Sequence, residues 1–225
     1  MAKYSPIDPV VISTSTPAPN SNAHDGNGLC LSAIYGDNAD LMENISKLWI
    51  KKEDAVVDVT FGKGAFWKKL KNLPTYSHDL KLDGVDCRTL PYVDNSLDVV
   101  VFDPPYRPTH GSKSFGNNAL ASCYQLGKSS LDTINDVIDL YRKGIVEAFR
   151  VLKKGGRILV KCQDLSYCHK LHLVSLDVLR EINNAGFDFA DQFILINKTQ
   201  MSSPKWAKQE RARRSHSILW VGIKR

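Results

Sequence analysis

The sequence predicts an α/β fold in which helices flank a mostly parallel sheet. Two observations indicate this class: apolar runs of strand length alternate with segments of helical periodicity, and acidic or glycine residues follow several of these runs. The composition, with 43% hydrophobic and 24% charged residues, is typical of a soluble globular chain. We expect residues 29–225 to form one domain. Residues 1–28, rich in Ser, Thr, Pro and Asn, are expected to form a mobile low-complexity tail.

The first half of the domain is expected to hold most of the parallel strands. Asp37 or Asp40 is a typical helix cap and precedes apolar residues spaced as on one helix face. Pro74 ends the next helical segment because proline lacks the N–H that a helix needs to continue. The expected elements are a helix from Asp37 or Asp40 to Lys52, a strand at 55–59, a short helix at 66–73, strands at 75–80 and, more weakly, 83–88, and a strongly apolar strand at 97–102.

The second half begins with residues 107–130, a long polar segment of the kind that is usually functional or disordered. Residues 131–152 follow the three-to-four spacing of a helix with one buried face. Lys153 to Gly156 supply the basic and glycine residues that are typical of a helix end. The remaining expected elements are a strand at 157–162, a helix at 175–185 and two final strands at 187–197 and 217–224.

The cysteine content and the apolar runs exclude several classes of protein. The five cysteines are odd in number and scattered, which argues against a disulfide framework and favours a reducing compartment such as the cytoplasm. No apolar run approaches the roughly 20 residues that a membrane-spanning helix needs. Cys162, Cys168, His169 and His172 do not have the spacing of a standard zinc site, so we predict no metal.

A glycine-containing turn follows the strand at 55–59. Residues 58–64 are Asp-Val-Thr-Phe-Gly-Lys-Gly, and glycines at such a turn let backbone amides approach a ligand closely. No Ser or Thr follows Gly-Lys, which argues against a nucleoside triphosphatase loop. Asp79 and Asp86 are expected at the ends of the next two strands, where a carboxylate can accept hydrogen bonds from a ribose or an adenine amino group. The alternative for each aspartate is that it caps a turn.

The apolar strand at 97–102 leads directly into Asp103-Pro104-Pro105-Tyr106. Two consecutive prolines forbid both a helix and a continued strand, so they impose a rigid turn. A carboxylate, a proline carbonyl and an aromatic ring are then held together. This set suits a planar substrate with an NH2 group, because Asp103 and the Pro104 carbonyl can accept its two hydrogens while Tyr106 stacks on its face.

These motifs resemble those of the S-adenosylmethionine-dependent amino-methyltransferases, in particular the DNA N6-adenine and N4-cytosine methylase family in its small prokaryotic or phage form. The family's Asp/Asn/Ser-Pro-Pro-aromatic motif is matched in full by residues 103–106, and its Asp-x-Phe-x-Gly-x-Gly motif is similar to residues 58–64, with Thr60 at the usual aromatic position. The resemblance covers residues 50–225 and implies a Rossmann-like class I methyltransferase fold, with a mostly parallel seven-stranded sheet and an antiparallel last strand.

The resemblance also implies roles for these residues. It implies that Asp103, Pro104, Pro105 and Tyr106 are catalytic, that Asp79 holds the cofactor's ribose and that Asp86 holds its adenine. Asp103 is the first residue of the Asp-Pro-Pro-Tyr motif, and by the same resemblance an aspartate there favours adenine over cytosine as the target. Alternatives are an RNA or protein-amide methyltransferase, and an idle nucleic-acid-binding protein on the same scaffold. The cofactor-binding residues implied are Asp58, Thr60, Phe61, Gly62, Gly64, Asp79 and Asp86.

Basic charge is concentrated near the carboxyl terminus. Eight basic residues and one acidic residue lie between 197 and 225, whereas the net charge of the whole chain is +6. If the strand at 187–197 is parallel to its neighbours, the segment after it projects over the ligand edge of the sheet. We therefore predict a nucleic-acid surface for DNA, or for RNA, with a solvated loop as the other interpretation. The predicted contact residues are Lys198, Lys205, Trp206, Lys208, Arg211, Arg213 and Arg214.

Overall fold

The computed structural model of the protein describes residues 29–108, 131–198, 212 and 214–225. The expected tail at 1–28 and most of the polar segment at 107–130 lie outside these residues. In chain order the elements are β1 (Ala33–Gly36), α1 (Asn38–Trp49), β2 (Val56–Asp58), β3 (Tyr76–Ser77), β4 (Leu97–Phe102), α2 (Ile134–Val151), β5 (Leu152–Cys162), β6 (Leu165–Tyr167), β7 (Lys170–His172), α3 (Val174–Asn184), β8 (Phe187–Asn197) and β9 (His216–Lys224).

The predicted α/β fold is confirmed. Within the described residues seven strands form one sheet in the order β1-β8-β9-β5-β4-β2-β3, while β6 and β7 form a separate hairpin. β9 pairs antiparallel with both β5 and β8, and the other pairs in the large sheet are parallel. This arrangement is the Rossmann-like methyltransferase fold. It places the carboxyl ends of β2, β3, β4, β5 and β8 at one edge of the sheet.

Helices cover both faces of the sheet because successive strand residues point to opposite sides. On one face, Val100 and Phe102 of β4 pack with the buried side chains of α2 and α3. On the other face, Val99 and Val101 of β4 pack with α1 and the turns after β2. Asp37 begins α1 as expected: its side chain accepts hydrogen bonds from the N–H groups of residues 39 and 40. None of the helices in the described ranges is long and apolar enough to cross a membrane.

The helix predicted at 66–73 does not form, and a series of tight turns takes its place. Backbone hydrogen bonds run from Gly64 N to Phe61 O, from Trp67 N to Gly64 O and from Leu70 N to Trp67 O. Each spans three residues and not the four of an α-helix. The side chains of Phe66 and Trp67 are buried, and the Trp67 indole is bound to Asp58. Tertiary contacts of these aromatic residues therefore override the helical pattern.

The strand predicted at 83–88 is also wrong. These residues form turns, and the only pairing there among the described residues is an isolated bridge between Asp86 and Thr89. Aspartate side chains stabilise the turns: Asp83 accepts from the N–H groups of Asp79 and Val85, and Asp86 accepts from the N–H of Arg88. Such local side-chain acceptors compete with the pairing that a strand requires.

β1 is the outermost strand at one end of the strand order, and β3 is the outermost strand at the other end. The four residues of β1 were not predicted as a strand, and they pair in parallel with β8 from Ala33–Ile194 to Gly36–Asn197. The last two predicted strands are confirmed as β8 and β9. Lys153 to Gly156, expected to close the helix, lie instead within β5, where Lys153 pairs with Asp98 of β4.

The close approach of α2 to β4 depends on Gly144. A Cβ atom at this position would overlap the ring of Phe102. Phe102 also packs edge-on against Tyr141, with ring centroids 5.7 Å apart. Since Phe102 is the residue before Asp103, the spacing between α2 and β4 also determines where the Asp-Pro-Pro-Tyr turn begins.

Gly144→Ala is therefore expected to destabilise the protein by about 1–3 kcal/mol, although alanine is ordinarily the better helix former. Urea unfolding measures the change. Gly144→Ala should cost less stability when it is added to Phe102→Leu than when it is added to wild type, because the smaller leucine side chain leaves room for the new methyl group. A Gly144→Ala protein as stable as wild type would contradict the overlap.

Candidate active site

The end of β2 places a carboxylate inside the protein. Asp58 is only 2% exposed, and its Oδ1 accepts a hydrogen bond from Thr60 N at 2.9 Å. Its Oδ2 accepts from the Trp67 indole N–H at 2.7 Å. Burial raises the pKa of Asp58 to about 7, and the nearby Asp103 adds to this effect while the donors from Trp67 and Thr60 oppose it. Asp58 therefore holds the turn that follows it.

That turn contains the two predicted glycines in a left-handed conformation, with φ of 53° at Gly62 and 66° at Gly64. A Cβ at Gly64 would lie 2.8 Å from the ring of Phe61, so the ring lies directly over this glycine. The N–H of Phe61 donates to His78 O at 3.0 Å, which links the turn to the end of β3. Phe61 thus packs within the turn itself, one residue after the position at which the family motif has its aromatic residue.

Asp79, predicted at the end of a strand, comes two residues after β3 and lies beside this glycine turn. Its Oδ2 accepts a hydrogen bond from Gly62 N at 3.1 Å, and its Oδ1 accepts from Lys81 N at 2.9 Å. The preceding residue, His78, has one ring nitrogen 2.6 Å from Asp83 Oδ2 and the other 2.7 Å from the hydroxyl of Tyr92. Sequence reasoning missed His78, whose contacts hold the end of β3 in place.

Asp86 follows no strand and is paired within its own turn. Arg88 Nε donates to Asp86 Oδ1 at 2.9 Å, and Arg88 Nη2 donates to Asp86 Oδ2 at 2.6 Å. Burial on its own would raise the pKa of Asp86, but the hydrogen bonds from Arg88 lower it below its ordinary value. Both side chains line a shallow depression against Arg142 and Lys143 of α2. The prediction that Asp86 ends a strand next to that of Asp79 is therefore wrong.

Asp103 and the proline turn follow β4 as predicted. The N–H of Asp103 donates to Thr60 Oγ1 at 2.7 Å, so the turn after β2 and the turn after β4 are joined directly. Pro104 is buried, while Pro105 and Tyr106 are half-buried. Thr60, which departs from the family's aromatic residue, thus acts as the acceptor that positions Asp103.

A lysine from the next strand faces this turn. Lys161 Nζ lies 3.3 Å from both carboxylate oxygens of Asp103. Burial raises the pKa of Asp103, and the Lys161 ammonium opposes that rise. The sequence places Lys161 at the end of a buried strand, but only the register of β4 against β5 identifies its partner. Phe102 is opposite Val160 in that register, which brings the next residue on each strand side by side.

The predicted nucleic-acid surface is described only at its two ends. Lys198 Nζ lies 3.3 Å from Asp40 Oδ2 at the start of α1. Gln163 Nε2 donates to the backbone carbonyls of Arg214 and His216, which ties the start of β9 to the end of β5. The Nε of Arg214 is buried and has no hydrogen-bond partner in the described structure. The remaining predicted contacts, Lys205, Trp206, Lys208, Arg211 and Arg213, lie outside the described residues.

Cys162 is buried and Cys168 is exposed. Among the residues that the structure describes, no three His, Cys, Asp or Glu side chains are arranged to hold a metal ion.

The comparisons with known proteins find likeness in structure alone. No protein-family model matches the chain, and no curated protein matches its sequence. The [4+2]-cyclase SpnF has a TM-score of 0.50 and 12% identity, with 82% of this chain and 79% of that chain covered. At this identity the likeness describes the fold and leaves the reaction open.

Two further solved structures share part of the fold at lower scores. The PvuII DNA methyltransferase, which is cytosine-N4-specific, has a TM-score of 0.45 and 18% identity, covering 60% of this chain and 45% of that chain. TTHA0409 of Thermus thermophilus, in complex with S-adenosyl-L-methionine, has a TM-score of 0.43 and 18% identity, covering 62% and 53%. The match thus spans only about half the length of these two proteins.

The Thr60 hydroxyl can be tested directly. Thr60→Val keeps the shape of the side chain but removes the acceptor for Asp103 N–H, so we expect a loss of about 1–3 kcal/mol in the free energy of unfolding. Thr60→Ser retains a hydroxyl and should recover most of that loss. Urea unfolding of the two variants makes the comparison, and equal stability of the valine and serine proteins would contradict this role.

Proposed function

We propose that this protein transfers the methyl group of S-adenosylmethionine to an exocyclic amine of a nucleobase, with adenine N6 in DNA as the target. The observation that carries the proposal is the environment of Asp103. A largely desolvated carboxylate, a proline carbonyl and the Tyr106 ring lie in one rigid turn, joined through Thr60 to a glycine turn that has its own carboxylate, Asp79.

The glycine turn and Asp79 fit the cofactor. The nearest atoms to a Cβ built on Gly62 are 3.9 and 4.0 Å away, so the turn is open at this glycine. Its left-handed backbone presents peptide groups that a bulkier residue would cover. The Asp79 carboxylate beside it is the type of acceptor that ribose hydroxyls require. When bound, S-adenosylmethionine supplies a methyl group on a sulfonium sulfur, which leaves as a neutral thioether.

The residues around Asp103 are suited to making an aromatic amine nucleophilic. The lone pair of such an amine is delocalised into the ring, which makes the nitrogen a poor nucleophile. Asp103 and the Pro104 carbonyl can accept hydrogen bonds from its two N–H groups and so draw the nitrogen toward a tetrahedral geometry. In that geometry the lone pair is no longer delocalised into the ring and can attack the methyl carbon. As the new N–C bond forms, the surplus N–H proton passes to the Asp103 carboxylate and then to solvent. Alignment of the reacting atoms supplies most of the remaining rate enhancement.

The choice of DNA and of adenine depends on two features of the sequence. Aspartate as the first residue of the proline motif resembles the adenine-specific members of the methylase family. The basic segment from Lys198 to Arg214 connects β8 to β9 and therefore leaves and re-enters the sheet at the edge where Asp103 lies. A phosphate backbone is the polyanion that such a segment would bind. The target base must be flipped out of a duplex or already single-stranded to reach a site of this kind.

The protein is therefore expected to transfer a labelled methyl group to DNA, with N6-methyladenine recovered after digestion. Asp103→Ala should reduce transfer by about 100-fold or more, because one of the two acceptors for the amine is removed from a desolvated site. Cofactor affinity, measured by calorimetry, should be retained, since Asp103 is assigned to the amine.

The same assay is run with RNA and with protein as substrates. Label in RNA or in protein but not in DNA would show that DNA is not the substrate. The protein would still be a methyltransferase. An Asp103→Ala variant with more than half of the wild-type turnover would overturn the assignment of Asp103. A wild-type protein that shows no heat of binding with S-adenosylmethionine would instead indicate an idle nucleic-acid-binding protein.

Cofactor affinity tests the two aspartates that are proposed to bind S-adenosylmethionine. Asp79→Ala is expected to weaken binding by about 1–3 kcal/mol, because it leaves a ligand hydroxyl without its acceptor. Asp86→Ala tests the role that the family resemblance implies for Asp86, whose carboxylate is paired with Arg88. Unchanged affinity in Asp86→Ala would mean that other residues bind the adenine of the cofactor. Unchanged affinity in both variants would contradict the proposed cofactor site. Thermal unfolding of Asp79→Ala is the control, because Asp79 also binds Gly62 N–H.

A further inference from the structure

Lys161 is a buried charged residue near the carboxyl end of β5. Its side chain is only 7% exposed, and the residues on either side of it in β5 are apolar. Removal of an ammonium group from water costs several kcal/mol unless the charge is paired. The described structure provides one anionic partner for it, the carboxylate of Asp103.

The position of Lys161 follows from the sheet itself. Residues 99 and 101 of β4 and residue 159 of β5 face the side of the sheet covered by α1. By the same alternation Asp103 and Lys161 face that side too, on neighbouring parallel strands. The carbonyl of Lys161 accepts a hydrogen bond from the Tyr141 hydroxyl at 2.9 Å, which holds the backbone against α2.

Two aromatic rings enclose the ammonium group. Lys161 Nζ lies 5.8 Å from the centroid of the Phe66 ring and 5.9 Å from the centroid of the Tyr106 ring. Both distances are within the range of cation–π attraction. Because Tyr106 belongs to the proline turn, Lys161 contacts two of its four residues. The ammonium is equidistant from the two Asp103 oxygens and so holds the plane of the carboxylate.

We propose that Lys161 is a positioning residue that keeps Asp103 anionic and oriented toward the substrate amine. This inference rests on the function proposed above. An ionised carboxylate only accepts hydrogen bonds, whereas a protonated one donates through one oxygen. Only the ionised form can bind an N–H group with either oxygen and then take up the proton that leaves the nitrogen.

Burial and the neighbouring carboxylate of Asp58 both favour the protonated form of Asp103. From β2, the carboxylate of Asp58 acts on Asp103 through mutual repulsion. From β5, burial raises the pKa of the Cys162 thiol far above its ordinary value, so Cys162 is neutral between pH 5 and 9. Burial also raises the pKa of Asp103. Among the described residues, Lys161 is the cation placed to counter these effects.

The test compares Lys161→Met, which removes the charge, with Lys161→Arg, which keeps it. Lys153→Met is a matched control, because Lys153 on the same strand pairs with Asp98 of β4 at the opposite edge of the sheet, where it is 46% exposed. Methyl transfer to DNA is measured from pH 5 to 9, together with cofactor affinity by calorimetry.

Lys161→Met is expected to lower transfer at pH 7 by about 10-fold or more. Its activity should rise with pH along an acid limb that lies about one pH unit or more above that of wild type, because the cation that favours ionised Asp103 is gone. Lys161→Arg should keep the acid limb near its wild-type position, and Lys153→Met should leave the whole profile unchanged. Cofactor affinity should be the same in all the variants.

The pH dependence of unfolding provides a readout that does not require activity. A carboxyl group whose pKa is higher in the folded than in the unfolded chain binds more protons when folded, so its contribution to stability decreases as pH rises from about 4 toward the folded pKa. Loss of Lys161 widens that window. Lys161→Met should therefore lose stability between pH 5 and 8 relative to wild type, and Asp103→Asn/Lys161→Met should not.

These outcomes separate the inference from the proposed function. If wild type methylates no substrate, the proposed function fails, while the unfolding data still decide whether Lys161 controls the ionisation of Asp103. An acid limb and an unfolding profile unchanged in Lys161→Met would overturn the inference. If Lys161→Met does not fold, folding of the double variant supports the pairing, and failure of both variants to fold assigns Lys161 a structural role only.

Discussion

Three charged side chains, Asp58, Asp103 and Lys161, are withdrawn from water at one edge of an apolar sheet. Each needs partners, and the surrounding structure supplies them. Asp58 accepts hydrogen bonds from Thr60 and Trp67, and Asp103 is paired with Lys161. Because unpaired buried charges are costly, these contacts couple the turn after β2, the turn after β4 and the carboxyl end of β5.

Thr60 has a central place in this arrangement. Its N–H donates to Asp58, and its hydroxyl accepts from the N–H of Asp103. One residue therefore connects the glycine turn, proposed to hold the cofactor, with the proline turn, proposed to hold the amine. In a transfer reaction the two reacting groups must be aligned, and a short covalent and hydrogen-bonded link between their sites provides that alignment. Gly144 helps to position Asp103 from the other face of the sheet. It lets α2 contact Phe102, which is the residue immediately before Asp103.

The elements that the sequence predicted well are those in which local pattern and tertiary environment agree. The apolar run that became β4, the long amphipathic helix α2 and the final antiparallel pair β8 and β9 are of this kind. The failures have specific causes. Residues 66–73 have a helical pattern, but Phe66 and Trp67 are buried in a chain of three-residue turns. Residues 83–88 have a strand-like pattern, but Asp83 and Asp86 bond to nearby backbone N–H groups instead.

The sequence by itself determined the class of fold, the glycine turn after β2 and the rigid turn at 103–106, because each depends on residue types at fixed spacing. Only the tertiary structure decided which side chains face Asp103. Thr60 and Lys161 are 43 and 58 residues away from it along the chain, and they reach it through strand order and register. Long-range contacts of this kind arise from packing of the whole sheet, which no local pattern encodes.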